Sequence, residues 1–253
     1  MVSKINKSII KSCCFLYKNK STTKIETEAI FGETFVVEHN ENKWSYGYLQ
    51  NDGYYGWILS NCLSDYCNTN YKISKKWAFI YEKPDPKSKK IMTLYLNSFV
   101  NVISKKKNWS KIIYIKNSKK CFGYIFSKNL DLKSKINNWI FTAKSLLGTP
   151  YLWGGKTPEG LDCSALVQLS YASQNILIPR NSYNQFKISQ KLPFLKKNFS
   201  PGNLIYWKGH IGIILDQNNF LHANGYHMRV EQEPIDNVIK RLGKGDIIRI
   251  KFN

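Results

Sequence analysis

The chain has 253 residues, of which 43% are hydrophobic and 14% aromatic, so it has enough apolar side chains for packed domains and is not a disordered polymer. Its formal net charge of +21 comes from 38 basic and 17 acidic residues, but only four of the basic residues are arginines, and the other 34 are lysines spread along the whole chain. This pattern argues against specific recognition of a nucleic acid, because such sites favour clustered arginines. The positive charge is explained by a general enrichment of lysine in the sequence. The alternative explanation is that the charge attracts the protein to an anionic polymer.

The first segment, residues 1–20, is predicted to be an N-terminal extension. Its short apolar pieces are interrupted by Lys11 and Ser12, and no small-residue cleavage site follows, so it makes a poor secretory signal. No stretch of the sequence has the ~18–20 apolar residues of a membrane span. The six cysteines are scattered and include no C-x-x-C pair, which favours a reducing compartment. We therefore expect a cytoplasmic protein, with a periplasmic or cell-wall-associated location as the alternative.

Two stretches, residues 21–70 and 71–132, repeat one pattern of short alternating strands. Each contains a Trp-Ser dipeptide, and each ends with a glycine, an aromatic residue and an isoleucine, at Gly56-Trp57-Ile58 and Gly123-Tyr124-Ile125. Turn residues recur about every ten positions, which is typical of small all-β barrels. The repetition predicts two copies of one barrel.

The remainder, residues 133–253, is predicted to form a separate α+β domain. Apolar residues at three- and four-residue spacing predict a helix over 134–147, which Gly148-Thr149-Pro150 ends. A second helix is expected from Cys163 to about Gln174. The other expected elements are strands near 203–207, 210–215, 220–223 and 246–250 and a short helix over 235–242. This order favours a helix packed on an antiparallel sheet.

Cys163 stands at the start of the second helix, after the turn-rich loop Tyr151-Leu152-Trp153-Gly154-Gly155. A thiol at a helix N-terminus lies where unpaired backbone N–H groups and the helix dipole favour negative charge. That position is expected to lower its pKa toward the range where the reactive thiolate is populated near neutral pH. Cys163 is therefore a candidate nucleophile, and the alternative is a small buried residue.

His210 and His222 lie on two apolar runs separated by turn residues, which predicts neighbouring antiparallel strands. A three-residue loop, residues 216–218, pairs Gly212 with His222 and puts His210 diagonally beside it on the same face. A two-residue loop sends the histidines to opposite faces, and the sequence leaves both loops open. In the first geometry, Cys163, His210 and His222 supply a nucleophile, a base and an orienting group.

Five ordered motifs in the C-terminal domain resemble NlpC-type cell-wall peptidases, a papain-like cysteine peptidase family. The motifs are YLWGG, GLDCSALVQ, IPRNSYNQ, GNLIYWKGHIGIILD and FLHANGYHM. Two positions depart from the family pattern: Ala165 replaces a glycine, and Asn203 replaces an aspartate. Both are expected to be tolerated, because alanine favours a helix and asparagine favours a turn. The two N-terminal repeats resemble bacterial SH3-like domains, which often accompany this peptidase class.

The resemblance implies Cys163 as the nucleophile, His210 as the base and His222 as the third polar residue. It also implies that the first SH3-like domain contributes acidic and tyrosyl groups that bind the free amino terminus of a substrate. A carboxylate and a phenol can together bind an ammonium through charge-assisted hydrogen bonds. The residues assigned to substrate binding are Asp162, Ser164, Tyr151, Arg180, Ser182, Glu33 and Tyr54.

Each of these residues also has a purely structural interpretation. Asp162 is a natural N-cap, and Ser164 is a first-turn helix residue. Tyr151 is placed to offer its phenol to an oxyanion, and the alternative is a packed aromatic beneath the helix. The structural alternatives for the other four are a loop salt bridge for Arg180, a turn hydroxyl for Ser182, a solvated charge for Glu33 and a barrel aromatic for Tyr54.

The expected function is that of a cysteine endopeptidase that cuts γ-D-glutamyl–diamino acid bonds in peptidoglycan peptides with a free N-terminal L-alanine. Such an enzyme would serve murein recycling, and it is expected to use no metal and no cofactor. One alternative is a thiol amidase or acyltransferase that acts on another acyl substrate. The other is a non-catalytic protein that binds cell wall or an anionic polymer.

Overall fold

The computed structural model describes residues 4–21 and 23–250. The chain divides into two compact units, Met1–Lys135 and Ile136–Asn253. The sequence prediction put this division after residue 132, in the same connecting segment. None of the helices in the described ranges combines the length and the apolar composition of a membrane-crossing segment.

The N-terminal unit contains two seven-stranded antiparallel sheets. The strands of the first sheet are β1 (Ile5–Ile9), β2 (Cys13–Tyr17), β3 (Ile25–Ile30), β4 (Thr34–Glu41), β5 (Trp44–Leu49), β6 (Tyr55–Leu59) and β7 (Leu63–Asp65). The strands of the second sheet are β8 (Tyr71–Ile73), β9 (Trp77–Tyr81), β10 (Lys90–Tyr95), β11 (Phe99–Lys106), β12 (Trp109–Lys116), β13 (Lys119–Phe126) and β14 (Leu130–Leu132).

The two sheets have the same topology. The first has the strand order β3-β2-β6-β5-β4-β1-β7, and the second has the order β10-β9-β13-β12-β11-β8-β14. The second order is the first with every strand number raised by seven, so the predicted internal repeat is present. The all-β SH3-like class is confirmed, although among the described strands neither order closes into a complete barrel.

Most of the segment predicted as an N-terminal extension belongs instead to the first sheet. Strand β1 pairs with β4 and β7, and β2 pairs with β3 and β6. Ile9 and Leu16 are fully buried in the core of this sheet. Lys11 and Ser12, which interrupt the apolar pieces of the sequence, lie in the bend between β1 and β2.

Each sheet has its own apolar core. Phe31, between β3 and β4 of the first sheet, packs in the core of the second sheet. Phe31 is 3% exposed and belongs to the cluster that contains Ile80 and Ile112. The next residue, Gly32, has a φ of +80°, and a Cβ there would lie 1.9 Å from the carbonyl oxygen of Phe99. Glycine is therefore required where the two SH3-like regions meet, because it tolerates this φ and leaves the space empty.

The C-terminal unit is an α+β domain, as predicted. Its helices are α1 (Trp139–Ser145), α2 (Cys163–Ala172), α3 (Ser182–Lys187) and α4 (Ile235–Leu242). Its strands are β15 (Lys156–Thr157), β16 (Gly160–Leu161), β17 (Ser189–Leu192), β18 (Leu204–Trp207), β19 (His210–Ile214), β20 (Asn219–Asn224), β21 (Arg229–Pro234) and β22 (Asp246–Ile250). The last six form an antiparallel sheet in the order β17-β22-β18-β19-β20-β21.

Helix α1 is shorter than the predicted helix over 134–147. The side chain of Asn138 accepts the backbone N–H groups of Ile140 and Phe141, so the helix begins at the following residue, Trp139. Ile136 stays outside the helix and is 70% exposed. The apolar spacing alone could not reveal this boundary, because the capping side chain decides it.

Helices α2 and α4 pack against the six-stranded sheet. Helix α2 lies against β19 and β20 and is buried along nearly its whole length. Ile235 and Val238 of α4 pack with Ile214 and Phe220 of the sheet, and all four are at most 1% exposed. Burying each such side chain contributes about 1.5–3 kcal/mol, so this packing holds β19 and β20 rigidly in place.

Candidate active site

Helix α2 begins at Cys163 because Asp162 caps its N-terminus. Asp162 has an extended backbone (φ −95°, ψ 177°), and its Oδ1 accepts the backbone N–H of Ala165 at 2.9 Å. The short pair β15–β16 leads directly into this cap. The thiol therefore lies on the first turn of the helix, where the sequence placed it.

Arg180 clamps the carboxylate of Asp162 from a buried position. Arg180 is 2% exposed, and its Nη1 and Nη2 donate to Oδ1 and Oδ2 of Asp162 at 2.8 and 2.7 Å. Nη1 also donates to Ser164 Oγ at 2.9 Å, and Nη2 donates to the carbonyl of Gly155 at 3.0 Å. Asp162 accepts two further hydrogen bonds, from Ser164 Oγ and from the backbone N–H of Gly154. The cluster therefore fixes the Gly154–Gly155 turn to the first turn of α2.

The thiol of Cys163 is 6% exposed. Burial, together with the Asp162 carboxylate, raises the pKa of Cys163 to about 12, although the backbone N–H of Ile211 and the Arg180 guanidinium favour the thiolate. The expected lowering of this pKa is therefore wrong, because the effect of the helix N-terminus is smaller than the cost of removing the thiolate from water. At neutral pH the sulfur is protonated and needs a base.

His210 and His222 lie on the same face of the sheet, as the three-residue loop predicts. Strands β19 and β20 pair Ile213 with Leu221 and Ile214 with Phe220, which leaves residues 216–218 as a three-residue loop. Nε2 of His210 lies 2.8 Å from Nδ1 of His222. The thiol contacts the Ile211 backbone, next to His210, but no hydrogen bond joins Sγ to the His210 ring within the described residues.

Both histidines are neutral at neutral pH. Burial, aided by the neighbouring His222 and Arg241, lowers the pKa of His210 to about 3. Burial likewise lowers the pKa of His222 to about 4, against the opposing effect of Glu233. A neutral imidazole has one bare nitrogen, so His210 is able to accept a proton.

Glu233 on β21 is a further buried partner that the sequence interpretation missed. Its Oε1 lies 2.8 Å from Nε2 of His222, and Arg241 of α4 donates to both of its oxygens. Phe220 pairs with Glu233 across β20 and β21, so the carboxylate stands diagonally beside His222. The available signal was a carboxylate on the strand after His222, but β21 was not predicted.

His222, Glu233 and His227 offer three potential metal-ligand atoms within 4.8 Å of one another. Arg241 donates to Oε1 of Glu233 at 2.5 Å and to Oε2 at 3.2 Å. Its guanidinium already supplies the positive charge at this carboxylate. The chemistry of the cluster is therefore that of a salt-bridged hydrogen-bond network.

Three family models match separate parts of the chain. The NlpC/P60 family matches residues 148–242, which contain the Cys163 helix and both histidine strands. The chain carries an NlpC/P60 domain and is a cysteine peptidase. A bacterial dipeptidyl-peptidase SH3 domain matches residues 16–63, and a bacterial SH3 domain matches residues 78–131. Two SH3 domains therefore precede the NlpC/P60 domain.

Similar proteins match the chain over most of their length. A Lysinibacillus sphaericus protein named dipeptidyl-peptidase 6 is 28% identical over 211 residues, which cover 75% of this chain and 76% of that protein. The gamma-D-glutamyl-L-lysine dipeptidyl-peptidase of Bacillus subtilis is 25% identical over 224 residues, or 79% of this chain and 72% of that protein. These relatives and the NlpC/P60 match support a cell-wall endopeptidase as the class of activity.

A solved structure agrees with the fold of both units. The match to the crystal structure of an NlpC/P60 family protein from Bacillus cereus covers 96% of this chain and 98% of that protein's chain, with a TM-score of 0.81. Its sequence identity to this chain is 20%, so the likeness concerns the fold.

Tyr151 lies near Cys163 in the NlpC/P60 domain. Burial and the nearby Cys163 raise the pKa of Tyr151 to about 12, so its phenol keeps its proton at neutral pH and is able to donate a hydrogen bond. Ser182, by contrast, begins α3 and is partly exposed. Substrate binding by Tyr151 and Ser182 stays a prediction.

Glu33 and Tyr54 belong to the first SH3 domain, in the N-terminal unit. The Glu33 carboxylate is 6% exposed and accepts the backbone N–H of Ile30 at 2.8 Å, so it is not the solvated charge of the structural alternative. Tyr54 donates its phenol to Glu26 at 2.8 Å. Their role in substrate binding also stays a prediction.

Proposed function

We propose that the chain is a cysteine endopeptidase that hydrolyses γ-D-glutamyl–diamino acid bonds in peptidoglycan peptides with a free N-terminal L-alanine. The observation that carries the proposal is the hydrogen-bonded His210–His222 pair, held on adjacent strands beside the first turn of the Cys163 helix. The bond specificity is supported by relatives from Bacillus subtilis and Bacillus cereus named gamma-D-glutamyl-L-lysine dipeptidyl-peptidase.

Acylation starts from a neutral thiol and a neutral imidazole. His210 takes the proton of Cys163 as Sγ attacks the γ-glutamyl carbonyl carbon, and a tetrahedral oxyanion forms. The Cys163 backbone N–H and the protonated phenol of Tyr151 are the proposed donors to that oxyanion. The C–N bond then breaks, His210 returns its proton to the departing amine, and a thioester remains.

Deacylation uses the same groups in reverse. His210 takes a proton from water as the hydroxide attacks the thioester carbonyl. The second tetrahedral intermediate expels the Cys163 thiolate, which recovers its proton from His210. The products are L-Ala-γ-D-Glu and a peptide or amino acid that begins with the diamino acid.

Recognition of the free amino terminus is proposed to involve the carboxylate of Glu33 and the phenol of Tyr54. Asp162 and Ser164 are proposed to contribute next to the nucleophile, with Arg180 and Ser182 as further binding residues. In the intact wall the alanine amino group is joined to the glycan strand. A requirement for that group to be free would confine the enzyme to released peptides, which is the basis for proposing a cytoplasmic role in murein recycling.

The test is mass spectrometry of L-Ala-γ-D-Glu-L-Lys and its diaminopimelate counterpart after incubation with the protein. Release of L-Ala-γ-D-Glu is expected from both free peptides and not from the N-acetylated forms. Cys163→Ala is expected to abolish release. Full turnover by Cys163→Ala would refute the mechanism, and cleavage of N-acetylated peptide or of lipid acyl donors alone would refute the proposed substrate.

A further inference from the structure

The proposed reaction does not yet account for the buried ion pair of Glu233 and Arg241. Glu233 is 8% exposed, and it bonds His222 on one side and Arg241 on the other. A buried charge is costly unless it is paired, and its retention beside a reacting histidine calls for a reason.

The reason follows from which atoms carry protons. An ionised carboxylate only accepts hydrogen bonds, so Nε2 of His222 must carry the hydrogen that points to Glu233. A neutral His222 then has a bare Nδ1, which must accept the hydrogen on Nε2 of His210. A neutral His210 is left with a bare Nδ1, the nitrogen able to take the thiol proton.

Arg241 keeps Glu233 ionised. This fixes which atom donates each hydrogen bond in the series from His210 through His222 to Glu233. Burial alone would raise the pKa of Glu233, but the hydrogen bonds from Arg241 and His222 outweigh it and hold the pKa below its ordinary value. The carboxylate thus stays ionised and remains an acceptor. The Arg241 guanidinium also lies 4.4 Å from the centre of the Tyr226 ring, which helps to hold it in position.

We propose that Glu233, clamped by Arg241, is a positioning residue that sets the tautomers of His222 and His210, so that Nδ1 of His210 is free for the Cys163 proton. This inference rests on the proposed function for its catalytic meaning. The tautomers themselves exist whether or not that substrate is correct.

The experiment combines ¹⁵N NMR of the imidazole rings with steady-state kinetics. The chain has four histidines, so single His→Gln variants assign the ring signals. In the wild-type protein we expect hydrogen on Nε2 and a bare Nδ1 for both His210 and His222. His222 and Arg241 share Oε1 of Glu233, so a glutamine could keep both bonds, and the diagnostic variant is Glu233→Met. Methionine keeps the side-chain length but offers no oxygen to His222, so both rings are expected to lose the fixed Nε2–H tautomer.

A His210 ring with its hydrogen on Nδ1 points that hydrogen at the thiol, so kcat of Glu233→Met is expected to fall by at least about 10-fold with little change in KM. Glu231→Met is the matched control. Glu231 lies on the same strand and bonds the exposed Arg229, so its replacement should leave both tautomers and kcat unchanged.

A bare Nε2 on His210 in the wild-type protein would overturn the proposal without any variant, as would an active Glu233→Met with unchanged tautomers. A shift of the His222 and His227 ring signals on adding Zn²⁺ alone, together with unchanged kcat in Glu233→Met, would also overturn it in favour of a metal site. Correct tautomers in a protein that cleaves none of the test peptides would refute the proposed function and leave the positioning role intact.

Discussion

Gly212 lies opposite His222 across β19 and β20, and a Cβ at Gly212 would come within 2.7 Å of the His222 Cβ and 2.4 Å of the Phe220 ring. His210 reaches diagonally across this empty position to bond His222. The missing side chain is therefore part of the site, because any Cβ there would push His222 away from its partners.

Gly212→Ala is expected to lower kcat by at least about 10-fold and to destabilise the domain by about 1–3 kcal/mol, as overpacking does. Peptide cleavage and urea unfolding measure the two effects. Gly225→Ala is the matched control, since a Cβ at Gly225 has open space around it. Wild-type activity in Gly212→Ala would contradict the packing argument.

The alkylation rate of Cys163 is expected to rise continuously with pH from 7 to beyond 9. The physical reason is the raised pKa of the buried thiol, about 12, since only the thiolate reacts. Iodoacetamide labelling with peptide mapping measures the rate at Cys163 separately from the other cysteines. A rate that reaches its plateau below pH 7 would instead indicate a preformed thiolate–imidazolium pair.

The stability of the C-terminal unit is expected to be greatest between about pH 6.5 and 9. The unfolded chain binds the histidine protons near the ordinary pKa of 6.5, whereas His210 and His222 bind them only near 3 and 4, so stability falls as the pH drops below 6.5. Cys163 loses its proton near 9 when unfolded and near 12 when folded, so stability also falls above pH 9.

Urea unfolding at each pH, with hydrogen exchange in peptides of α2 as the probe, tests this pH range of greatest stability. The His222→Gln variant should bind one proton fewer on unfolding in acid. Its free energy of unfolding should therefore fall less steeply as the pH drops below 6.5. Gln232→Ala, a change at an exposed residue of β21, serves as the control. A stability maximum near pH 5 would show that the histidines are protonated in the folded protein.

Arg180→Ala is expected to destabilise the C-terminal unit by about 3–5 kcal/mol, because it leaves the buried Asp162 carboxylate unpaired. The matched control is Lys191→Ala, which breaks the exposed Lys191–Asp246 pair and should cost less than about 1 kcal/mol. Chemical denaturation measures both. Equal losses in the two variants would mean that the Asp162 cluster is not a buried ion pair in solution.

Local sequence patterns determined much of the fold. The repeat in the first 132 residues indicated two copies of one all-β domain, and the short helix predicted over 235–242 matched α4 at both ends. Asp162 was recognised as an N-cap, because capping depends on residues a few positions apart. The same reasoning failed at β1 and β2, because their partner strands lie elsewhere in the chain, and it overlooked the local Asn138 cap that starts α1.

By itself, the sequence determined which residue types were available for thiol chemistry and their order along the chain. Only the tertiary structure decided that the loop between β19 and β20 has three residues, that Glu233 and Arg241 extend the histidine pair, and that burial raises the Cys163 pKa. The physical reason is that strand register, desolvation and charge pairing depend on groups brought together by folding, whereas helix caps and hydrophobic periodicity depend on neighbours along the chain.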